Sequence, residues 1–270
     1  MNRCRVGASF AALGLVLFRA EVAASIELTP SRIVYTTVLS KAKPGGEIIG
    51  ADGTMTLISG ETCDAWTSEE HDLLNMRYIE GDATVGTNFV DWESKDGLRF
   101  RFSQHNTRNG KTEEDIGGEA RLDGPGQGGT ADFTQPREET LTLAPGVLFP
   151  AAHTIRLIES AASGDAFFAA KVLDGEGGQN AADVSAVIGA PLDAASSAAA
   201  EPVKSPLLER PSWRVHLAFF PAGAASDTPK YQLDMRLLDN GVTRDMMFDY
   251  GDFTIKATLK EIEALPKPSC

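Results

Sequence analysis

The residues through which this chain could do chemistry are few and scattered. Of three cysteines, Cys63 and Cys270 lie far apart, with no Cys-x-x-Cys to suggest a redox pair. His71, His105, His153 and His216 stand singly, none with a second ligand at metal spacing. His216 falls on the polar side of an alternating run and reads as solvent-facing. His153 follows Phe149-Pro150 at the start of a helical pattern and reads as a capping or packing residue. There is no Gly-x-Ser-x-Gly elbow and no His-Glu-x-x-His. Among the carboxylates, Glu69-Glu70 and Glu113-Glu114-Asp115 read as solvated charge, and Asp245, Asp249 and Asp252 lack the tight array of a calcium loop. Trp92-Glu93-Ser94, just before the Asp96-Gly97 turn, differs. A carboxylate between a tryptophan and a serine at a strand end reads as a buried, hydrogen-bonded group. The alternative makes Glu93 the acid of an envelope hydrolase acting on peptidoglycan or lipid, partnered by Asp96 or His153. The favoured reading assigns no catalytic residue, no metal ligand and no cofactor.

The N-terminus places this chemistry in a compartment. Arg3 and Arg5 precede an uncharged apolar stretch, Val6–Phe18, and Val22-Ala23-Ala24 fits a small-x-small cleavage site. That order predicts a signal peptide over 1–24, cleaved near Ala24, and a stretch too short to span a bilayer. The alternative is an uncleaved anchor. Cys4 leaves with the leader, and in an exported chain the remaining even pair reads as one bridge, with two free or intermolecular thiols as the alternative. Closing so long a loop is worth about 5 kcal/mol in the chain-entropy account. Net charge is −13, and −15 once Arg3, Arg5, Arg19 and Glu21 are gone. An acidic surface argues against nucleic acid as a partner. No later segment approaches transmembrane length.

The elements that must position these residues have a period of two. Leu98, Phe100 and Phe102 alternate with arginines; Trp213, Val215, Leu217 and Phe219 alternate with Arg214, His216 and Ala218. Leu233, Met235 and Leu237, then Phe253, Ile255, Ala257 and Leu259, repeat the pattern. Further strands are expected at 32–39, 54–59, 75–80, 88–92, 117–122, 130–134, 139–143, 166–173 and 184–188. Asp239-Asn240-Gly241 predicts a type I′ hairpin, and Asp52-Gly53, Asp96-Gly97, Asn109-Gly110 and Asp174-Gly175 are further turn signals. One helix is expected over Ala151–Ser163, with Ile155, Ile158 and Ala162 on its buried face and Gly164 at its end. A second helical turn is expected over Lys260–Leu265. Residues 190–211, rich in Ala, Ser and Pro, read as a flexible surface loop inserted in one β domain over 25–270. Many short strands with close turn signals predict a mainly β fold, a barrel or sandwich.

Several short runs, taken in order, resemble a known family. They are Cys63-Asp64-Ala65-Trp66, Trp92-Glu93-Ser94-Lys95-Asp96-Gly97, Leu143-Ala144-Pro145-Gly146-Val147-Leu148-Phe149-Pro150-Ala151-Ala152-His153, Ser212-Trp213, Asn240-Gly241, and Asp249-Tyr250-Gly251-Asp252-Phe253 before the terminal Cys270. Together they are similar to the EipB family of alphaproteobacterial cell-envelope integrity proteins, with Ala65 where the pattern has Gly and Ala144 where it has Pro. The resemblance implies a periplasmic protein folded as a large, spiral, open antiparallel β-barrel with one or two short helices. It also implies a disulfide between Cys63 and Cys270, and no defining enzymatic activity. A curved sheet of that kind offers a concave face to a lipid, a peptide or a periplasmic envelope protein.

Overall fold

The computed structural model describes residues 26–175, 180–194, 203–223 and 227–270. The expected leader, Cys4 within it, and residues 195–202 of the expected loop lie outside the described residues. Among the described residues, fifteen strands and the helix α1 follow one another: β1 (Ser31–Ala42), β2 (Ile48–Glu61), β3 (Ala65–Tyr78), β4 (Gly81–Ser94), β5 (Arg99–Arg108), β6 (Lys111–Leu122), β7 (Gly129–Gln135), β8 (Glu139–Leu143), β9 (Val147–Leu148), α1 (Pro150–Ser163), β10 (Phe167–Val172), β11 (Ala182–Ile188), β12 (Ser212–Phe220), β13 (Tyr231–Leu238), β14 (Thr243–Asp249) and β15 (Phe253–Ala264). All strands join one sheet, in the order β8-β7-β6-β5-β4-β3-β2-β1-β15-β14-β13-β12-β11-β10-β9. Nearly every neighbour is the next strand in the chain, as a meander of hairpins requires, and β1 pairs with β15 across the ends of the chain. The two edge strands, β8 and β9, are separated only by residues 144–146. The sheet thus curls into a nearly closed antiparallel barrel whose seam is crossed by the backbone rather than by a ladder.

Period-two alternation sends one face of each strand inward. Trp213, Val215, Leu217 and Phe219 of β12 pack with Met235 and Leu237 of β13 and with Leu157, Ile158 and Ala161 of α1, so the helix lies inside the barrel. Phe100 and Phe102 of β5 form a second apolar cluster with Phe89, Phe133 and Phe149. The helix buries His153, Leu157, Ile158 and Ala161, a face rotated from the expected Ile155, Ile158 and Ala162. It ends at Gly164 (φ 86°), whose N–H donates to the Ala161 carbonyl.

Four further expectations are corrected. Asp52-Gly53 is no turn: Gly53 lies inside β2, where a Cβ would collide with the Leu73 carbonyl oxygen of β3, so it permits close backbone approach. Lys260–Leu265 is no helix, because β1 offers its edge and β15 stays paired as far as Ala264 opposite Ser31. Asp239-Asn240-Gly241 makes a three-residue loop with Leu238 N–H on the Val242 carbonyl; Gly241 alone has positive φ (83°), so the turn is not type I′. The two left-handed residues of that turn occur instead at Asn109 (φ 53°) and Gly110 (φ 73°). Finally, part of the expected 190–211 loop is fixed: Pro206–Leu208 forms a short 3₁₀ turn, Leu208 is 2% exposed, and Leu192 bridges to Ser212.

Past β15 the tail crosses the end of β1, where Leu265 N–H donates to the Pro30 carbonyl, and reaches the β2–β3 turn. There Cys270 is bonded to Cys63, Cα to Cα 5.6 Å. The bridge joins positions 207 residues apart, so it constrains nearly the whole unfolded chain. Reduction, or Cys63→Ser, is expected to cost about 2–4 kcal/mol, seen calorimetrically as a melting temperature lower by about 5–15 °C. An unchanged melting temperature would show that the bridge does not stabilise the fold.

Candidate functional site

The inward positions of β3 and β4 are where the barrel departs from an apolar core. The same parity that sends Met76 and Phe89 inward carries Ser68, Glu70 and Asp72 of β3 and Asp91 and Glu93 of β4 into the lumen. Charged groups in such places need partners. Glu93, 2% exposed, finds them on α1. The helix begins with Phe149 as its N-cap, which carries no oxygen, and Pro150, which has no N–H. The next two amides would be orphaned in the interior. Ala151 N–H donates to Glu93 Oε2 (2.6 Å) and Ala152 N–H to Oε1 (2.9 Å). Burial pushes the Glu93 carboxyl up to about 8, while the two amides pull the other way. Asp91, 8% exposed, accepts from the Ser68 hydroxyl (2.7 Å). Burial pushes it up to about 6 against that hydrogen bond. Burial, followed by the neighbouring Asp72 charge, holds the Glu70 carboxyl well above the usual range. Glu70 keeps some surface on the lumen, but the barrel wall screens it from bulk water.

The first turn of α1 divides the lumen into two cavities, both lined by Pro150 and Thr154. The smaller, about 200 Å³, is bounded by Tyr35, Trp66, Ser68, Asp91, Asn240 and Gly241. The larger, about 510 Å³, is lined by Leu57, Phe219, Leu233, Met246 and Phe248 on its apolar side and by Glu70, Asp72, Gln104 and His153 on its polar side. Tyr250, 46% exposed, and Lys230 mark its mouth. Along that rim Phe219 stacks on Tyr231 (4.3 Å between centroids), and Tyr250 stacks on Phe253 (4.9 Å).

The residues singled out in the sequence divide among several tasks. Trp66, Pro150, Asn240 and Gly241 converge on the smaller cavity, and His153 and Tyr250 line the larger one. Trp92 lies outside, with the Arg101 guanidinium over its ring (5.5 Å to the centroid). Ser94 accepts from Arg99 N–H and donates to Asp96 Oδ1, which fixes the turn after β4. Phe149 is fully buried, stacked on Phe100 at 5.1 Å. Trp213 packs in the core, its Nε1 without a hydrogen-bond partner among the described residues. Phe253 belongs to the cluster at the far end of β1–β3, and Gly251 (φ 85°) turns the chain from β14 into β15. His216 contacts Asp234 and Gln232 on the outer face. Glu70 and Asp72, which read as solvated charge or not at all, are lumen residues. Every residue of Ser68-Glu69-Glu70-His71-Asp72 is polar, so the sequence offered no alternation by which to find them.

Two outcomes follow from this geometry. Glu93→Ala strands two amides and opens a void, with an expected loss of about 2–4 kcal/mol in chemical denaturation, whereas Glu93→Gln, which keeps one acceptor, loses less. Asp91 and Glu93 bind more protons folded than unfolded between their ordinary values and about 6 and about 8 respectively. Stability is therefore expected to fall as pH rises from about 4 to 8, Asp91 contributing roughly 2–3 kcal/mol of that change. Asp91→Asn should flatten the lower part of the curve; an identical pH profile in the variant would refute the assignment.

Comparison with known proteins accords with this architecture. The chain is 26% identical over 258 residues to the cell envelope integrity protein EipB of Brucella abortus, covering 90% of this chain and 87% of that one. Its fold matches a crystal structure described as a β-barrel-like protein of a domain of unknown function from Brucella abortus, with a TM-score of 0.78 and 24% identity over 89% of this chain and all of that one. The EipB-like family profile matches residues 22–266, and the chain therefore belongs to the EipB-like family.

Proposed function

We propose that this protein acts in the periplasm, as a unit beginning near residue 25, and supports cell-envelope integrity without catalysis by holding the apolar part of a lipid or peptide in the barrel lumen. The observation that carries the reading is the larger cavity: a space of about 510 Å³ with a continuous apolar wall of Leu57, Phe219, Leu233, Met246 and Phe248, within the range of small-molecule sites. The name of the Brucella relative supports the envelope role. A disulfide closing the fold suits an oxidising compartment, as does the N-terminal pattern of a leader. No helix among the described residues is long and apolar enough to cross a membrane.

The hydrolase reading has less behind it. Both Glu93 oxygens are occupied by helix amides, and the residue lines neither cavity. Asp96 sits in an exposed turn, held by Ser94 and Leu98. Native mass spectrometry of protein isolated from the envelope is expected to show a co-purifying lipid or peptide. Leu233→Trp, which fills the cavity from β13, should remove that mass while the circular dichroism spectrum stays native. A clean apoprotein mass from the unmodified chain would count against lumen binding.

A further inference from the structure

The lumen-binding reading leaves open what chemistry the cavity selects, and the inference here rests on that reading. Among the ionisable residues lining the larger cavity, the carboxylates Glu70, Asp72 and Asp174 outnumber Lys230, which is exposed at the mouth. Glu70 and Asp72 are two residues apart on the inward face of β3, close enough that the Asp72 charge, after burial, raises the Glu70 carboxyl. The nearby cations lie elsewhere: Arg77 of β3 pairs with Asp52 on the exposed surface, and Lys95, just after β4, pairs with Glu61.

A second observation is independent of the acids. His153, on the first turn of α1, lines the same cavity with 7% exposure, and its Nε2 has no hydrogen-bond partner among the described residues. Desolvation pushes the imidazole down to about 4, so it is neutral at physiological pH. A buried polar atom left without a partner costs stability, and a ligand bearing polar hydrogens would relieve that cost. The rim adds Phe219, Tyr231 and Tyr250, whose ring faces attract cations.

An anionic head, phosphate or carboxylate, would meet like charge on this wall. A neutral one would leave the like charges of Glu70 and Asp72 uncompensated. We infer that the larger cavity is a site for a cationic amphiphile, its ammonium group held by Glu70 and Asp72 and its hydrocarbon part laid along Leu57, Leu233, Met246 and Phe248. On binding, the ammonium donates hydrogen bonds to both carboxylates and compensates their like charge. Charge-assisted hydrogen bonds of this kind are stronger than neutral ones.

Three probes with the same chain separate head from tail: decylamine, decanol and decanoate, titrated calorimetrically into delipidated protein. Decylamine is expected to bind one to one, about tenfold or more tighter than decanol, with decanoate the weakest. Glu70→Gln should cut the preference for decylamine over decanol severalfold. If that variant does not fold, the ranking of the probes on the native protein still decides. Equal binding of amine and alcohol, or preference for decanoate, would overturn the cation selectivity and leave lumen binding standing. Binding of none of the three would overturn both.

Discussion

Two hydrogen bonds, from the amides of Ala151 and Ala152 to the carboxyl of Glu93, decide what this barrel can contain. A helix whose N-terminus lies in an apolar interior needs acceptors for its first amides, each costing about 1–3 kcal/mol if left unmet. Neither Phe149 nor Pro150 has a side-chain acceptor, so a residue far away in sequence must reach the first amides. Glu93 can do so because the turn after β4 is itself fixed. Ser94 and Asp96 hold the amides of Arg99 and Leu98, and the strand end has nowhere else to go. The helix thus sits inside the barrel, and its first turn makes two cavities of one lumen.

This arrangement also explains how much could be read in advance. Strands with an apolar inward face, such as Trp213–Phe219 and Phe253–Leu259, announce themselves by alternation. β3 does not, because its inward residues are Ser68, Glu70 and Asp72, and polar-on-polar alternation carries no contrast. Only its end, near Asn75–Tyr78, looked like a strand. Glu93 could be read as buried and hydrogen-bonded from its neighbours, but its partners 58 and 59 residues later could not. Local pattern does not encode which far element closes a capping bond. The helix face failed for a related reason. His153 counts as polar in a periodicity, yet it is buried here, and with it the face turns toward Leu157 and Ala161. Asn240-Gly241 misled because a dipeptide signals a tight turn without fixing loop length, and the pairing of Leu238 with Val242 makes the loop three residues.

The seam of the barrel and the cap of the helix are one mechanical unit. Residues 144–146 carry the chain from edge strand β8 to edge strand β9, and α1 begins two residues after β9 ends. On the other side of the lumen, Phe100 of β5 stacks on Phe149 while Glu93 of β4 holds Ala151 and Ala152. Parting β8 from β9 would therefore pull Phe149 from its stack and α1 from the Glu93 carboxyl that caps it. No ladder closes β8 against β9, and β9 pairs with β10 only at Lys171 and Val172. The route into the larger cavity must then lie where no such coupling exists. Asn180, Lys230 and Tyr250 line that cavity and are exposed, and they sit on loops rather than on ladder positions. On the lumen-binding reading, a ligand entering there passes the exposed Tyr250 on its way in. Entry from that side leaves the Glu93 cap, and the division of the lumen it maintains, intact.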